Sequence, residues 1–132
     1  MKHSGRVIIV ENEHVLLIKR VKKDQVYYVF PGGKAEKGET PEMTARREAY
    51  EELGVQVDLG SCFAEVKFNG VRQFYFHASI SGGELGSGTA EEFTTGEGTF
   101  ELVWMACSDL INYPVIPAEV AEKLACTDKS AK

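Results

Sequence analysis

Short runs of β-branched and aliphatic residues alternate along the chain with polar breaks. Val7 to Val10 and Val15 to Ile18 flank the polar Glu11-Asn12-Glu13-His14, a pattern that predicts a β-hairpin. A third run, Val26 to Phe30, stops at Pro31-Gly32-Gly33, a strong breaker, and Lys34 to Glu39 reads as polar loop. A helix is then expected from a Thr40 cap, with Pro41 in the first helical position and Glu42 near the positive end of the helix dipole. It should end at Leu53, with Gly54 as the stop. Strands are predicted again at Val55 to Leu59, Cys62 to Phe68 and Val71 to Ile80, the last two joined by Asn69-Gly70, a two-residue hairpin signal.

Ser81 to Gly98 holds six glycines and reads as a long loop, of a length that compact domains often use as a lid. Thr99 to Met105, containing Trp104, predicts a further strand, and Pro117 to Leu124 a second, amphipathic helix. Thr127 to Lys132 reads as a frayed tail. No internal repeat or second domain is visible, so the expected organisation is one α/β domain over residues 1–126 and a disordered tail over 127–132. The order strands, helix, strands, helix implies a sheet lying against helices.

Composition narrows the partners. The 132 residues are 43% apolar and 27% charged, as in ordinary soluble domains, and are enough to bury a core without disulfides or a structural metal. The formal net charge is −5, which argues against a binder of duplex nucleic acid. A bound metal ion could still supply positive charge locally for a polyanion. The four apolar residues Val7 to Val10 are too few for a signal peptide or a membrane span, so the expectation is a cytoplasmic protein without a membrane partner. Cys62, Cys107 and Cys126 suggest neither a disulfide framework nor a zinc site, and Cys62 and Cys107 are expected to be partly buried.

The first helix carries the chemistry. Glu48, Glu51 and Glu52 are spaced i, i+3 and i+4, which puts them within an arc of roughly 100° on one helix face. Ala45, Ala49 and Leu53 line the adjoining face and can pack on the sheet. Like charges at these spacings repel. With Arg47 beside the arc and Arg46 nearly opposite it, relief should come from solvent or a bound cation. Carboxylate oxygens are hard ligands that suit Mg²⁺, with Mn²⁺ an alternative. No Asp-rich twelve-residue loop is present, which argues against a calcium sensor.

Read in full, Gly33 to Val55 resembles the Nudix box, G-x5-E-x7-R-E-U-x-E-E-x-G-U. The fixed positions are Gly33, Glu39, Arg47, Glu48, Glu51, Glu52 and Gly54, and Ala49, smaller than usual, is the one departure. A chance match in a chain of this composition is on the order of one in a million. The resemblance extends to Tyr27 to Gly33 before the box and to Trp104 with Ser108-Asp109-Leu110 after it. It implies a Nudix-type α/β/α sandwich with a mixed β-sheet and metal-assisted attack of water on a diphosphate. It also implies metal ligation by Glu48, Glu51 and Glu52 with a backbone carbonyl at Gly32 or Gly33, and bracing by Arg47 and Glu39. Arg20 matches a phosphate-contacting position. Family members differ in the general base: one of the box glutamates, or a residue of the loop before the late strand, here Glu92 in preference to Glu91 or Glu97.

Other readings are weaker. Gly33 to Thr40 superficially matches a phosphate-binding loop, but Glu39 stands where its lysine belongs. His3, His14 and His77 have no companions at ligand spacing. Trp104 and the run Phe74-Tyr75-Phe76 read mostly as core by alternation, although Tyr75 or Phe74 could stack on a base. The expected substrate is a small nucleotide, with a nucleoside triphosphate pyrophosphohydrolase favoured. ADP-ribose, nucleotide-sugar and dinucleoside polyphosphate hydrolysis are alternatives, as is a non-hydrolytic nucleotide sensor. Nothing marks a self-complementary patch, which leaves a homodimer open.

Overall fold

The computed structural model describes residues 2–86 and 99–130, without the side chains of 99, 100 and 127–130. It contains two compact units, residues 1–9 with 31–90 and residues 10–30 with 91–132. Strand β1 (His3–Glu11) runs from the first into the second.

In the first unit β1 pairs in parallel with β6 (Val71–Gly83) and antiparallel with the short β4 (Gly32–Lys34). Strand β5 (Val55–Phe68) pairs antiparallel with β6. Helix α1 (Pro41–Leu53) packs on this sheet through Ala45, Ala49 and Leu53, all fully buried. Both of its ends follow the sequence. Thr40 Oγ1 accepts the Met43 amide at 3.1 Å, and Gly54 closes the helix in the left-handed region at φ 80°. The helix can approach β1 closely only because residue 5 lacks a side chain. A Cβ on Gly5 would collide with the Pro41 carbonyl and come within 2.7 Å of the Ala45 nitrogen.

The second unit is built on β2 (His14–Lys22), whose Val15, Leu16, Leu17 and Ile18 are all buried. A strand covered on both faces needs such an unbroken apolar run. It pairs with the end of β1, with β3 (Gln25–Val29) and with β7 (Thr99–Ala106), all antiparallel. A 3-10 turn at Cys107–Asn112 leads to β8 (Val115–Ile116), parallel to β3, and to α2 (Ala118–Ser130). Buried Val120, Ala121, Leu124 and Ala125 form the packed face of α2. Parallel and antiparallel pairs with two helices make this an α/β fold with mixed strand pairing, as expected.

Both predicted hairpins are present. Asn12 and Glu13 (φ 52° and 65°) and Asn69 and Gly70 (φ 52° and 77°) adopt the positive-φ pairs that match the strand twist. Several boundaries differ. Gly32 and Gly33, read only as a breaker, form β4 with Lys34 because their carbonyl and amide groups meet the edge of β1. The two strands expected at Val55 to Leu59 and Cys62 to Phe68 are one, with register shifts around Cys62 absorbing Gly60 and Ser61. Strand β6 takes in Ser81 to Gly83 from the expected loop. Helix α2 continues to Ser130, through residues expected to be a frayed tail. Cys107 is buried as expected, but Cys62 is exposed, and Trp104, expected in the core, is 38% exposed. Among the described residues no helix is long and apolar enough to cross a membrane.

Candidate active site

Arg47 organises the carboxylate face of α1. It sits one turn before Glu51, and its NH1 donates to Glu51 Oε1 at 3.1 Å and to Glu48 Oε2 at 3.2 Å. The sequence reading set Arg47 beside the acidic arc; the structure turns its long side chain into it, so the cation that relieves the repulsion is partly the protein's own. The rest of the guanidinium is anchored elsewhere. Nε and NH2 form a fork on Glu39, at 2.7 Å to Oε2 and 3.1 Å to Oε1, and NH2 also donates to the Lys34 carbonyl at 3.1 Å. Such a bidentate pair is stronger and more directional than a lysine contact.

Glu39 is saturated with donors. Besides Arg47 it accepts the Glu36 amide at 2.8 Å and the Thr44 hydroxyl at 2.9 Å. These bonds, the Arg47 pair first among them, hold its carboxyl down at about 2, against an ordinary 4.5. Glu39 in turn pushes the Arg47 guanidinium further above its usual range, with Glu48 and Glu51 adding to the effect. The bracing role expected for Arg47 and Glu39 thus has a geometry: one ion pair ties the loop before α1 to the second turn of the helix.

Glu48 lies against Gly33. A Cβ on that glycine would be 2.6 Å from both Cδ and Oε2 of Glu48, so the carboxylate occupies the space a side chain would fill. Removal from water raises its pKa, an effect opposed by Arg47 and Arg6 and reinforced by Glu51. Glu52 reaches the same turn, accepting the Gly32 amide at 2.9 Å. Glu51 is more open than Glu48, its side chain 45% accessible against 16%.

The residues gathered here are therefore Gly32, Gly33, Glu39, Arg47, Glu48, Glu51 and Glu52. Three more belong with them that the sequence reading passed over. Thr44 is a fully buried polar side chain on the packed face of α1, and its hydroxyl position four residues after the cap was the available signal. The Lys34 carbonyl carried no signal. Arg6 pairs in register with Gly32, whose Cβ would sit 2.6 Å from the Arg6 Cα, and its charge acts on Glu48.

The other expected site residues are Tyr75, Arg20 and Glu92. Tyr75 is 1% exposed and donates its hydroxyl to Gln73 Oε1 at 2.9 Å, so it is a core residue and is not presented for base stacking. Arg20 lies on β2 in the second unit, in register with Tyr27 and Phe100. Glu92, with Glu91 and Glu97, lies outside the described residues.

The donor set suits a hard divalent cation: three carboxylates on one helix turn and a half, one of them desolvated, beside a glycine backbone that lets Glu48 come close. Among the described residues, however, no group of three His, Cys, Asp or Glu side chains converges as a ready-made metal cluster. With NH1 of Arg47 between Glu48 and Glu51, these rotamers fit a metal by chemistry, and carboxylate rotation would be needed to converge them.

Comparison with known proteins follows the same lines. A NUDIX domain family model matches residues 1–124. A Bacillus subtilis (strain 168) protein provisionally named 8-oxo-dGTP diphosphatase is 36% identical over an alignment of 89 residues that covers 64% of this chain. The match spans 58% of that relative's length. A MutT structure, from work on the Aliivibrio salmonicida and Vibrio cholerae proteins, is 23% identical with a TM-score of 0.75, covering 96% of this chain and 98% of that one. An ADP-ribose pyrophosphatase from Streptococcus suis 89-1591 is 20% identical with a TM-score of 0.69, covering 99% and 92%. At these identities the two structural likenesses speak to the fold alone.

Proposed function

This chain belongs to the Nudix family, and we propose on that premise that it is a Mg²⁺-dependent pyrophosphohydrolase acting on a nucleoside triphosphate. The observation that carries the reading is the braced carboxylate face itself. Glu48, Glu51 and Glu52 are all present, two of them are held against the Gly32-Gly33 turn, and Arg47 is fixed by Glu39. A module that only sensed nucleotides would have no need to keep every box carboxylate.

Nudix hydrolases generally use divalent metals. Here Glu48, Glu51 and Glu52, with the Gly32 carbonyl, would hold the ion, which would supply charge neutralisation for the phosphates and a lower pKa for bound water. The protein's own part is to set the carboxylates. Arg47 restrains Glu48 and Glu51, the Gly32 amide orients Glu52, and one box glutamate or Glu92 takes the proton from the attacking water. Arg20 is proposed to contact substrate phosphate.

An oxidised dGTP is the first candidate substrate, supported by the name of the Bacillus subtilis relative. ADP-ribose, a nucleotide sugar and a dinucleoside polyphosphate are the alternatives, the first supported only by likeness of fold. Hydrolysis would split a phosphoanhydride with water, giving a nucleoside monophosphate and pyrophosphate from a triphosphate.

The test is phosphate-product release from a panel covering these four classes, with and without Mg²⁺, comparing wild type with Glu52→Gln. Turnover that requires Mg²⁺ and falls by roughly 10²-fold or more in the variant supports the hydrolase. Mg²⁺-dependent binding of one nucleotide with no turnover of any would replace it with the sensor.

A further inference from the structure

At the beginning of the box, the start of β1 and the end of β4 with the loop after it enclose a cleft of about 390 Å³, lined by Lys2, His3, Lys34, Glu36 and Lys37 among others. We infer that this cleft is a binding site for a phosphate-class anion. The choice of phosphate rests on the hydrolase reading; the anion site itself rests on the cleft.

Among the described residues, none of the three lysine side chains has an ion-pair or hydrogen-bond partner. That is a concentration of uncompensated positive charge in a chain of net charge −5. The cleft's one acid, Glu36, lies 3.8 Å from Arg47 NH1, so a cation outside the cleft offsets it. The opposite wall is fixed: the His3 ring donates to the Glu39 carbonyl at 2.8 Å and packs edge-on against Phe74 at 6.4 Å.

Three flexible ammonium groups around one space suit a compact, multiply charged oxyanion. A monocarboxylate would leave two of them unused, and no Phe, Tyr or Trp lines the wall to stack on a base. The cleft is also tied to the carboxylate helix, since the Lys34 carbonyl on its wall is the acceptor of Arg47 NH2. The site adds Lys2, His3 and Lys37 to the residues implied by the box. Its anion could be the polyphosphate end of the substrate or free pyrophosphate released as product.

Amide chemical shifts of metal-free protein, titrated with sodium pyrophosphate at constant low ionic strength, test the inference without any need for turnover. Saturable shifts are expected at Lys2, His3 and Ala35 to Gly38. They should weaken at least roughly tenfold in Lys2→Glu/Lys37→Glu, since two screened charge contacts are lost and two repulsive charges take their place. Both lysines are exposed, and unchanged α1 resonances would verify the variant's fold. Kinetics then separate the sources: a raised KM for the nucleotide at constant kcat identifies the substrate's phosphates, and unchanged KM with weakened pyrophosphate inhibition identifies the product. Shifts that are absent, that sodium sulfate and chloride reproduce in equal size, or that persist in the double variant overturn the site. Because the titration needs no catalysis, its failure is distinct from failure of the hydrolase reading.

Discussion

Replacing Glu39 with Gln removes one negative charge and little else, which makes it a direct probe of the brace between the loop and α1. The remaining side-chain oxygen of Gln can still accept the Glu36 amide or the Thr44 hydroxyl, now bonded at 2.8 Å and 2.9 Å. What disappears is the charge-assisted fork to Arg47. A carboxyl held at about 2 in the folded protein against 4.5 corresponds to about 3 kcal/mol of folded-state preference for the anion, at roughly 1.4 kcal/mol per unit. That figure is an upper bound on the variant's loss, because its retained hydrogen bonds recover part of it. A loss of about 1–3 kcal/mol at pH 7 is therefore expected.

The pH dependence makes the reasoning refutable. The folded pKa is depressed, so the contribution of Glu39 is fully present above the unfolded value of 4.5 and is lost as pH falls toward about 2. Urea unfolding of both proteins, followed by far-UV circular dichroism at pH 7, 5, 4 and 3, should show a gap that is constant from 7 to 5 and narrows below. Equal stability at pH 7, or a gap that stays the same down to pH 3, would refute the assignment of that stability to the charged pair.

Gly33→Ala places a methyl against the Glu48 carboxylate, 2.6 Å from Oε2; the flexible side chain can yield, so stability should drop by less than about 1 kcal/mol while kcat falls roughly 10- to 100-fold. Unfolding and steady-state rates measured on one preparation check both halves, and unaltered kcat would show that Glu48 has no catalytic need of that position. Tyr75→Phe should cost about 0.5–1.5 kcal/mol through its lost bond to Gln73 and leave nucleotide KM unchanged; a raised KM would return Tyr75 to the substrate site. Mg²⁺ at a hundred times its Kd should stabilise wild type by about 2.7 kcal/mol and Glu52→Gln by much less. Identical urea midpoints of the wild type with Mg²⁺ and with EDTA would count against the carboxylate face as a metal site.

Much of the first unit was legible because its signals are local. The Thr40 cap, Pro41, the acids of α1 and Gly54 act within one or two turns of themselves, and the helix boundaries follow from them. The hairpins at Asn12-Glu13 and Asn69-Gly70 are equally local. What was hidden depends on partners distant in sequence. Strand β4 exists because β1 presents an edge to Gly32 and Gly33. The join through Gly60 and Ser61 exists because β6 continues opposite them. Tyr75 alternates as core in the sequence, and the structure buries it as that alternation implies, so the stacking role also weighed for it finds no exposed ring. For Arg47, a helical wheel gives direction but no reach, and a side chain of that length bends across its neighbours to the acids.

The division of labour within Arg47 bears on how the same face can both fold stably and hold a cation. Its strongest contact, the fork on Glu39, uses Nε and NH2, and NH2 also donates to the Lys34 carbonyl. NH1 alone faces Glu48 and Glu51, at 3.2 Å and 3.1 Å. If those two carboxylates rotate to serve a divalent ion, the arginine gives up only its NH1 contacts and keeps its anchor on the loop. The brace and the metal face are then energetically separable. Loss of Glu39 should act mainly on stability and loss of Glu52 mainly on turnover, and a double variant should show the sum of the two effects on unfolding free energy to within about 0.5 kcal/mol. Strong coupling between them would mean that the ion pair itself positions Glu52, a role that in this structure falls to the Gly32 amide.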